Sequence, residues 1–344
     1  MVKSPVNWIK IAIVIAFLYV LSLATSIYLP VIISIVLAFI LNPLVNLLCR
    51  IRVKAWAMPR GLAVLLAFAI AGLFLTIVAK FVFMPFIHEF DKFAANLPNL
   101  INKIQKITIA IEARANEVTL PANISSLLQQ AASSAASFSI GLVRKIVNSI
   151  FDLASRIIEL VVVPVLAYYF MKDWQVLKES FIAIFSPNSK SRVRSIIEES
   201  AAIISGYIRG QFWISVIVGF TVFCGMYFFK VDYPLVLGLL ATLTETIPIV
   251  GPIIGAIPAI LLAFLTSPAL AVKVLIFFII IHQIENHIVV PKVMGQTIDL
   301  HPATVILVLL IGGQLYGIIG MIFAVPVAAL LKVIISHLWY DDQK

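Results

Sequence analysis

Four polar side chains lie inside two strongly apolar stretches of the chain. Glu245 follows twelve uncharged residues and precedes twenty-seven more. His282, Glu285 and Asn286 lie in the second stretch, at spacings of three and four that place the imidazole beside both later groups on a helix. An ionisable group at membrane depth is costly, so it usually faces a cavity or a partner. These four residues are therefore our candidates for binding or exchanging an ion.

Each candidate also has a purely structural interpretation. Glu245 could cap backbone groups that are released near Pro248. His282 and Glu285 could belong to a hydrogen-bonded cluster near the outer membrane surface, and the sequence alone favours neither interpretation for them. For Glu245 we favour a role in transport, because a helix broken at membrane depth is itself a feature of transport sites.

Glycine and proline interrupt two long apolar segments, residues 233–265 and 302–335. As one helix, the uncharged run 303–331 would be about 44 Å long, against a hydrocarbon core of about 30 Å. It must tilt strongly, bend or fold back. The helix-breaking and small residues are Pro248, Gly251, Pro252, Gly255 and Pro258 in the first segment and Gly312, Gly313, Gly317, Gly320 and Pro326 in the second.

Small residues let helix backbones approach closely in lipid, where apolar burial contributes little to helix association. The sequence GPIIG at 251–255 has the spacing that favours such contacts. We expect Gly251, Gly255, Gly317 and Gly320 to bring the two interrupted segments together around a permeation path.

The composition excludes an ordinary soluble protein. The chain is 62% hydrophobic and 12% charged, with a mean hydropathy of +1.10, whereas soluble domains carry about 25% charged residues. The net charge of +9 comes from short loops rather than one basic surface, so we expect no nucleic-acid partner. Cys49 and Cys224 have no metal-ligand spacing. The chain lacks the HExxH, GxSxG and Walker A patterns, and we expect no enzyme, no metal and no cofactor.

The apolar runs predict an all-α, polytopic membrane protein with about eight transmembrane segments, two of them interrupted and able to be re-entrant. The first 39-residue apolar run should turn near residues 28–30 to make two crossings. The predicted regions are spans one to three (1–83), an extramembrane helical hairpin (84–150), span four (151–171), a cytoplasmic amphipathic region (172–210) and spans five to eight (211–344).

The positively charged loops predict the orientation. Lys and Arg gather in the termini, the loop 50–60 and the region 172–209, whereas the short loops on the opposite side carry only Lys230 and Lys292. Because positive residues in short loops favour the cytoplasm, we expect both termini to be cytoplasmic and the hairpin 84–150 to lie outside. That hairpin would bury its own apolar stripe; an oligomer contact or a membrane-surface helix is the alternative.

Six motifs in the same order resemble those of the autoinducer-2 exporter (AI-2E) family of bacterial permeases, over nearly the whole chain. They are ILNPLV at 40–45, YIRGQ at 207–211, IPIVGPIIGAIPA at 247–259, IENHIVVPKVMG at 284–295, DLHP at 299–302 and FAVPVAALLKVI at 323–334. The resemblance implies a multi-pass permease of the bacterial inner membrane and leaves room for a homo-oligomer. Members of the family are described as exporting autoinducer-2 or exchanging sodium ions for protons.

We therefore expect a secondary transporter in the lipid bilayer that exports a small polar molecule like autoinducer-2 or exchanges cations for protons. Its partners would be the bilayer, the polar solute and H⁺ or Na⁺. The alternative is a non-transporting membrane scaffold or regulator that acts through the hairpin 84–150. One fold can serve unrelated cargoes, so the resemblance does not identify the solute.

Overall fold

The structure is a computed structural model that describes residues 25–50, 52–53, 56–93, 157–295 and 300–339, with scattered positions between 95 and 141. It divides into two compact units, one of Met1–Ala69 with Phe151–Phe181, the other of Ile70–Ile150 with Ile182–Lys344. The expected hairpin 84–150 lies largely outside the described residues.

The first unit is built on a pair of apolar helices, α1 (Thr25–Arg50) and α3 (Ile157–Lys172). The buried Ser34 hydroxyl lies 2.6 Å from the carbonyl oxygen of Pro30 in its own helix and 3.1 Å from that of Val163 across the interface. A small hydroxyl thus joins two backbones that approach closely, as in other membrane helix pairs. Two-residue strands, β1 (Arg52–Val53) and β2 (Trp56–Ala57), form an antiparallel turn after α1.

Helix α1 runs through the position where we expected a turn. It is already helical at Thr25 and continues past Pro30, so residues 28–30 do not form the turn between two crossings. Proline is tolerated inside a membrane helix when neighbouring groups satisfy the freed carbonyl. Pro30 frees the carbonyl four residues before it, and the helix nevertheless continues without a break.

A long apolar helix starts at α2 (Arg60–Val78), passes through a π-helical turn at Ala79–Phe83 and stays helical to Phe93. Its side chains are mostly apolar and exposed, among them Leu73, Phe74 and Phe81. Exposed apolar side chains along a whole helix are typical of a surface that faces lipid. The expected boundary at residue 83 is therefore not a helix end.

The second unit is organised around α5 (Lys190–Phe228), a single helix that follows the short helix α4 (Trp174–Ala183) and a 3₁₀ turn at Pro187–Ser189. The polar residues 190–209 continue directly into the apolar residues 212–228 without a break. We had expected a surface helix up to about residue 210 and a separate span after it. The uninterrupted backbone joins these two regions into one continuous helix.

The first interrupted segment folds back on itself. Helix α6 (Pro234–Thr244) ends before Glu245, and helix α7 (Val250–Thr266) begins after Ile249, which has a φ of 67° that is unusual for a β-branched residue. A Cβ on Gly251 would lie 2.0 Å from the Thr244 carbonyl oxygen, and one on Gly255 would lie 3.4 Å from the Cα of Ala241. Position 251 thus lies beside 244 and position 255 beside 241. Because one number rises as the other falls, α6 and α7 form an antiparallel hairpin.

The second interrupted segment does the same. Helix α10 (Pro302–Trp339) loses helical geometry at Tyr316 and at Gly317, where φ is 60° and ψ is −138°, a conformation that glycine adopts readily. We call its halves α10a (302–315) and α10b (318–339). A Cβ on Gly320 would lie 1.9 Å from the Gly312 carbonyl oxygen, so the two halves pack closely as an antiparallel hairpin. Both interrupted segments therefore fold back on themselves, rather than tilting or bending as single crossings.

Between the hairpins, α8 (Pro268–Ile284) continues through a π-helical turn at Glu285–Val289 into the short helix α9 (Val290–Met294). Ser267 caps α8, because its hydroxyl accepts a hydrogen bond from the Leu270 N–H at 3.2 Å. The main apolar core of this unit combines buried residues of α5, α6, α7 and α8, including Val222, Leu237, Ala259 and Val274.

The prediction of an all-α polytopic membrane protein is confirmed. Among the described residues, five helical stretches are long and apolar enough to cross a membrane by length and composition, one of them the folded-back α10, and three shorter apolar helices accompany them. Helix α6 has 11 residues. At 1.5 Å per residue its length is about 16 Å, too short to cross a hydrocarbon core of about 30 Å.

Candidate functional site

The break between α6 and α7 brings Glu245 to His282 and Glu285. One oxygen from each carboxyl group and one nitrogen of the imidazole all lie within 4.8 Å of one another. The imidazole Nδ1 of His282 is 2.8 Å from Glu285 Oε2. Glu245 and Glu285 are buried, with 2% and 6% of their surface exposed. We call these three residues the carboxylate cluster.

Local backbone structure positions each member. Glu245 is the first residue after α6, and its N–H still bonds to the Ala241 carbonyl at 2.9 Å. Its own carbonyl accepts a hydrogen bond from the side-chain amide of Gln211 on α5. Glu285 begins the π-helical turn after α8, one helical turn beyond His282. Single π-helical turns frequently occur at functional sites because the extra residue redirects the side chains.

The cluster places two acidic side chains close together in a buried site. Two like charges at this distance in a buried site repel each other strongly, so a proton or a cation is needed to offset the negative charge. His282 partners Glu285, but its second ring nitrogen, Nε2, is buried and has no hydrogen-bond partner in the described part of the chain. The arrangement is therefore suited to take up a positively charged species.

The donor atoms of the cluster could hold a cation directly. Carboxylate oxygens suit hard cations, and an added imidazole nitrogen also admits transition metals. We expected no metal, because the chain lacks the HExxH pattern and the two cysteines have no metal-ligand spacing. Glu245 and Glu285 are brought together only by the fold, which motif spacing does not reveal.

Asn286 does not join the cluster in the structure. It is exposed on the π-helical turn, although it directly follows Glu285 in the chain. The π-helical geometry changes the side-chain spacing from that of the regular helix on which its grouping with His282 was predicted.

The prolines are found where their missing N–H groups are tolerated. Pro248 lies in the break itself, and Pro252 lies in the first turn of α7, where the N–H would have no helical partner. Pro258 and Pro326 are buried inside α7 and α10b. Only the position of Pro248 bears directly on the cluster.

The glycines do not connect the two interrupted segments as we expected. The nearest atoms to a Cβ on Gly251 or Gly255 belong to α6, in the same segment, and Gly312 and Gly320 contact each other. A Cβ on Gly313 would contact Met321, again in the same segment, and one on Gly317 would meet nothing within 4 Å. The expectation was wrong because each segment folds back, so its own second half occupies the space beside its glycines.

Two functional positions were missed in the sequence. Gln211 was noticed only as part of a motif, although it holds the backbone of the break. Glu89 is not among the candidates from the sequence, yet its Oε2 accepts hydrogen bonds from the N–H groups of Leu235 at 3.0 Å and Val236 at 3.3 Å. In the sequence, the one signal for both residues is that each is a polar residue next to a long apolar run.

Interrupted helices and buried ionisable residues inside a multi-pass helical protein are typical of membrane transport proteins. The profile of the AI-2E family transporters matches residues 11–339. The chain therefore belongs to the AI-2E transporter family, and it is a multi-pass membrane permease.

Several bacterial relatives match most of the chain. YueF of Bacillus subtilis (strain 168), which is named as a transport protein, is 29% identical over 313 residues, covering 90% of this chain and 83% of its own. PerM of Escherichia coli (strain K12), named as a permease, is 24% identical over 318 residues, covering 91% of this chain and 88% of its own. YrrI of Bacillus subtilis, also named as a transport protein, is 35% identical over 175 residues, about half of each chain.

Proposed function

We propose that this chain is a secondary transporter of the bacterial inner membrane that uses the carboxylate cluster to couple transport to a cation. In this function it exports a small polar molecule of the autoinducer-2 type or exchanges cations for protons. The observation that carries the proposal is the meeting of Glu245, His282 and Glu285 within 4.8 Å at the break of a helical hairpin.

The charge of the cluster supports coupling rather than a static structural role. A buried pair of carboxyl groups changes its net charge whenever a proton or cation enters or leaves, and the surrounding hydrocarbon makes each charge state favour a different arrangement. The hairpin break can respond, because Glu245 is on a short non-helical stretch between α6 and α7. A change in charge is thereby linked to a change in backbone position.

The bacterial relatives and the charge pattern support the location. YueF and PerM come from bacteria and are named as transport proteins, and the inner membrane is where an apolar multi-helix bundle of this kind is inserted. We place both termini in the cytoplasm, because the short loops on that side carry most of the Lys and Arg. The same proposal admits a homo-oligomer.

The decisive experiment measures flux into sealed proteoliposomes that contain the purified protein. Uptake or release of radiolabelled Na⁺ and of a panel of polar solutes is compared with and without a pH or sodium gradient. Glu245→Gln retains the shape of the side chain but removes its charge, so gradient-driven flux should be lost while the protein still folds. Asp91→Asn, at an exposed position on the helix that begins at α2, is the matched control and should keep full flux.

The outcomes separate the alternatives. Gradient-dependent flux that Glu245→Gln removes supports coupling at the cluster. Full gradient-dependent flux in Glu245→Gln would show that the cluster is structural. If the unmodified protein gave no flux with any cargo of the panel, a non-transporting scaffold would replace the proposal.

A further inference from the structure

Three buried hydroxyl groups on α5 have no hydrogen-bond partner among the described residues. They belong to Ser200, Tyr207 and Ser215, whose exposed fractions are 7%, 4% and 3%. Leaving a buried hydroxyl unbonded costs free energy, and most serine hydroxyls in helices avoid this by bonding to a carbonyl one turn earlier. Three such groups on one helix therefore need an explanation.

The three hydroxyl groups share one side of α5. Tyr207, Gln211 and Ser215 follow one another at intervals of four residues, and Ser200 lies seven residues, or two turns, before Tyr207. Residues at these spacings align along one face of a helix. We call Ser200, Tyr207, Gln211 and Ser215 the polar face of α5.

Both hairpins cover this face. Tyr207 packs in one apolar cluster with Ile247, at the break of the first hairpin, and with Leu309, Ala324 and Val325 of the second. Gln211 donates a hydrogen bond to the Glu245 carbonyl. The polar face thus leads along α5 to the carboxylate cluster, underneath the two elements of the fold that are interrupted.

The polar face ends just beyond the cluster. Val218 and Val222 continue the same side of α5, are buried, and pack in the main apolar core. Between them, Gly219 approaches α6 so closely that a Cβ would clash with the Thr242 hydroxyl and lie 2.8 Å from the carbonyl oxygen of Gly238. The Thr242 hydroxyl itself donates to that carbonyl at 2.9 Å, so it is satisfied within α6. Past Ser215, the side of α5 that carries Val218 and Val222 therefore presents buried apolar side chains and close backbone contact.

We infer that the polar face of α5 is one wall of a one-sided aqueous path that runs from the N-terminal part of α5 to Glu245. Water, and the small hydrated cation or solute that travels in it, binds the hydroxyl groups when the hairpins move away from α5. In the conformation described here, residues of both hairpins pack over this face at Tyr207. The apolar stretch from Val218 to Val222 seals the far end.

This inference rests on the proposed function, since it supplies the access route to the carboxylate cluster, but it is tested by water access rather than by flux. Serine is replaced by cysteine at Ser200 and at Ser215, one site at a time, in a protein from which Cys49 and Cys224 have been removed. Val218→Cys and Val222→Cys are the matched controls, since they lie on the same side of the same helix. The exchange of a hydroxyl for a thiol changes the side-chain volume little, so folding should persist.

The probe is a charged methanethiosulfonate with a trimethylammonium group, applied to the protein in liposomes, and the fraction modified is followed by intact-protein mass spectrometry. A thiol reacts as the thiolate, which forms in contact with water and not in an apolar interior, so Ser200→Cys and Ser215→Cys should react at least about tenfold faster than the two valine positions. Ser215→Cys as unreactive as Val222→Cys would overturn the inference. So would a Val222→Cys that reacts as fast as Ser215→Cys, because the path would then have no seal.

The results for the two separate variants, Ser215→Cys and Glu245→Gln, distinguish this inference from the proposed function. If Ser215→Cys reacts rapidly even when Glu245→Gln transports normally, the path stands and coupling at the cluster fails. If Glu245→Gln abolishes coupling but Ser215→Cys never reacts, coupling stands and the path along α5 is wrong.

Discussion

Glu89 caps a helix that starts 145 residues further along the chain: its carboxylate accepts the N–H of Leu235 at 3.0 Å. Helix α6 needs this partner, because the residue before it, Tyr233, has a φ of 59° and provides no side-chain cap. Phe93 packs edge-on against the Tyr233 ring at 5.2 Å, and the Asn96 amide donates to the Tyr233 hydroxyl at 3.1 Å. One side of a long lipid-facing helix thereby fixes the start of the hairpin that carries Glu245.

We predict that Glu89→Ala weakens the N-terminal turn of α6. Loss of a helix N-terminal cap typically costs about 1 kcal/mol, so the thermal unfolding midpoint in detergent should fall. Hydrogen exchange at the amides of residues 235 and 236 should become faster. Asp91→Ala is the control, because Asp91 is exposed on the same helix and its loss should change neither measurement. Unchanged exchange in Glu89→Ala would mean that another group caps α6.

The close approach of α6 and α7 predicts a graded response to alanine at the glycines. A Cβ on Gly251 would lie 2.0 Å from a backbone oxygen of Thr244, which cannot move without displacing the hairpin. A Cβ on Gly255 would meet the Thr244 hydroxyl at 2.8 Å, and a side-chain rotation can relieve that contact. We expect Gly251→Ala to lower the unfolding midpoint and the yield of folded protein more than Gly255→Ala does, and Gly255→Leu to resemble Gly251→Ala.

The control for this series is Gly72→Ala on α2, where a Cβ would meet nothing within 4 Å. Alanine is favoured over glycine in a helix by about 1 kcal/mol, so Gly72→Ala should be neutral or stabilising. Equal midpoints for Gly251→Ala and Gly72→Ala would contradict close packing within the first hairpin.

The turn of the second hairpin predicts a different effect, which arises from backbone conformation rather than space. Gly317 has a φ of 60° and a ψ of −138°, a combination that costs a residue with a side chain about 1–3 kcal/mol. Gly317→Ala should therefore lower the unfolding midpoint, although a Cβ there has open space around it. Gly313→Ala is the control in the same hairpin, since its Cβ would meet only the flexible Met321 side chain. A larger loss in Gly313→Ala than in Gly317→Ala would refute the turn at residue 317.

The positively charged loops predict which side of the membrane each loop occupies. Single cysteines at Ser134 and Ser189 are introduced into a cysteine-free protein, and whole cells are treated with a thiol reagent that cannot cross the membrane. Ser134→Cys should react in intact cells and Ser189→Cys only after the cells are permeabilised, because short loops rich in Lys and Arg remain in the cytoplasm. The reverse pattern of labelling would invert the orientation.

The sequence by itself determined that this is a helical membrane protein with broken apolar segments, and it identified Glu245, His282 and Glu285 as the groups to examine. That much follows from composition, because hydrocarbon offers no hydrogen-bond partners: apolar runs must be helical, and a charged residue inside one of them is exceptional. A helix break can likewise be predicted from the local sequence, because proline and glycine are the residues that interrupt a helix.

Only the tertiary structure decided that both broken segments fold back, that Glu245 meets two residues about 40 positions later, and that Gln211 and Glu89 hold the first hairpin in place. The direction in which the chain leaves a break depends on one or two backbone angles, such as those of Ile249 and Gly317. Hydrophobic periodicity carries no information on those angles. Our expectation that the glycines join the two segments was also wrong. Small residues indicate that another backbone comes close, but they do not indicate which segment it belongs to.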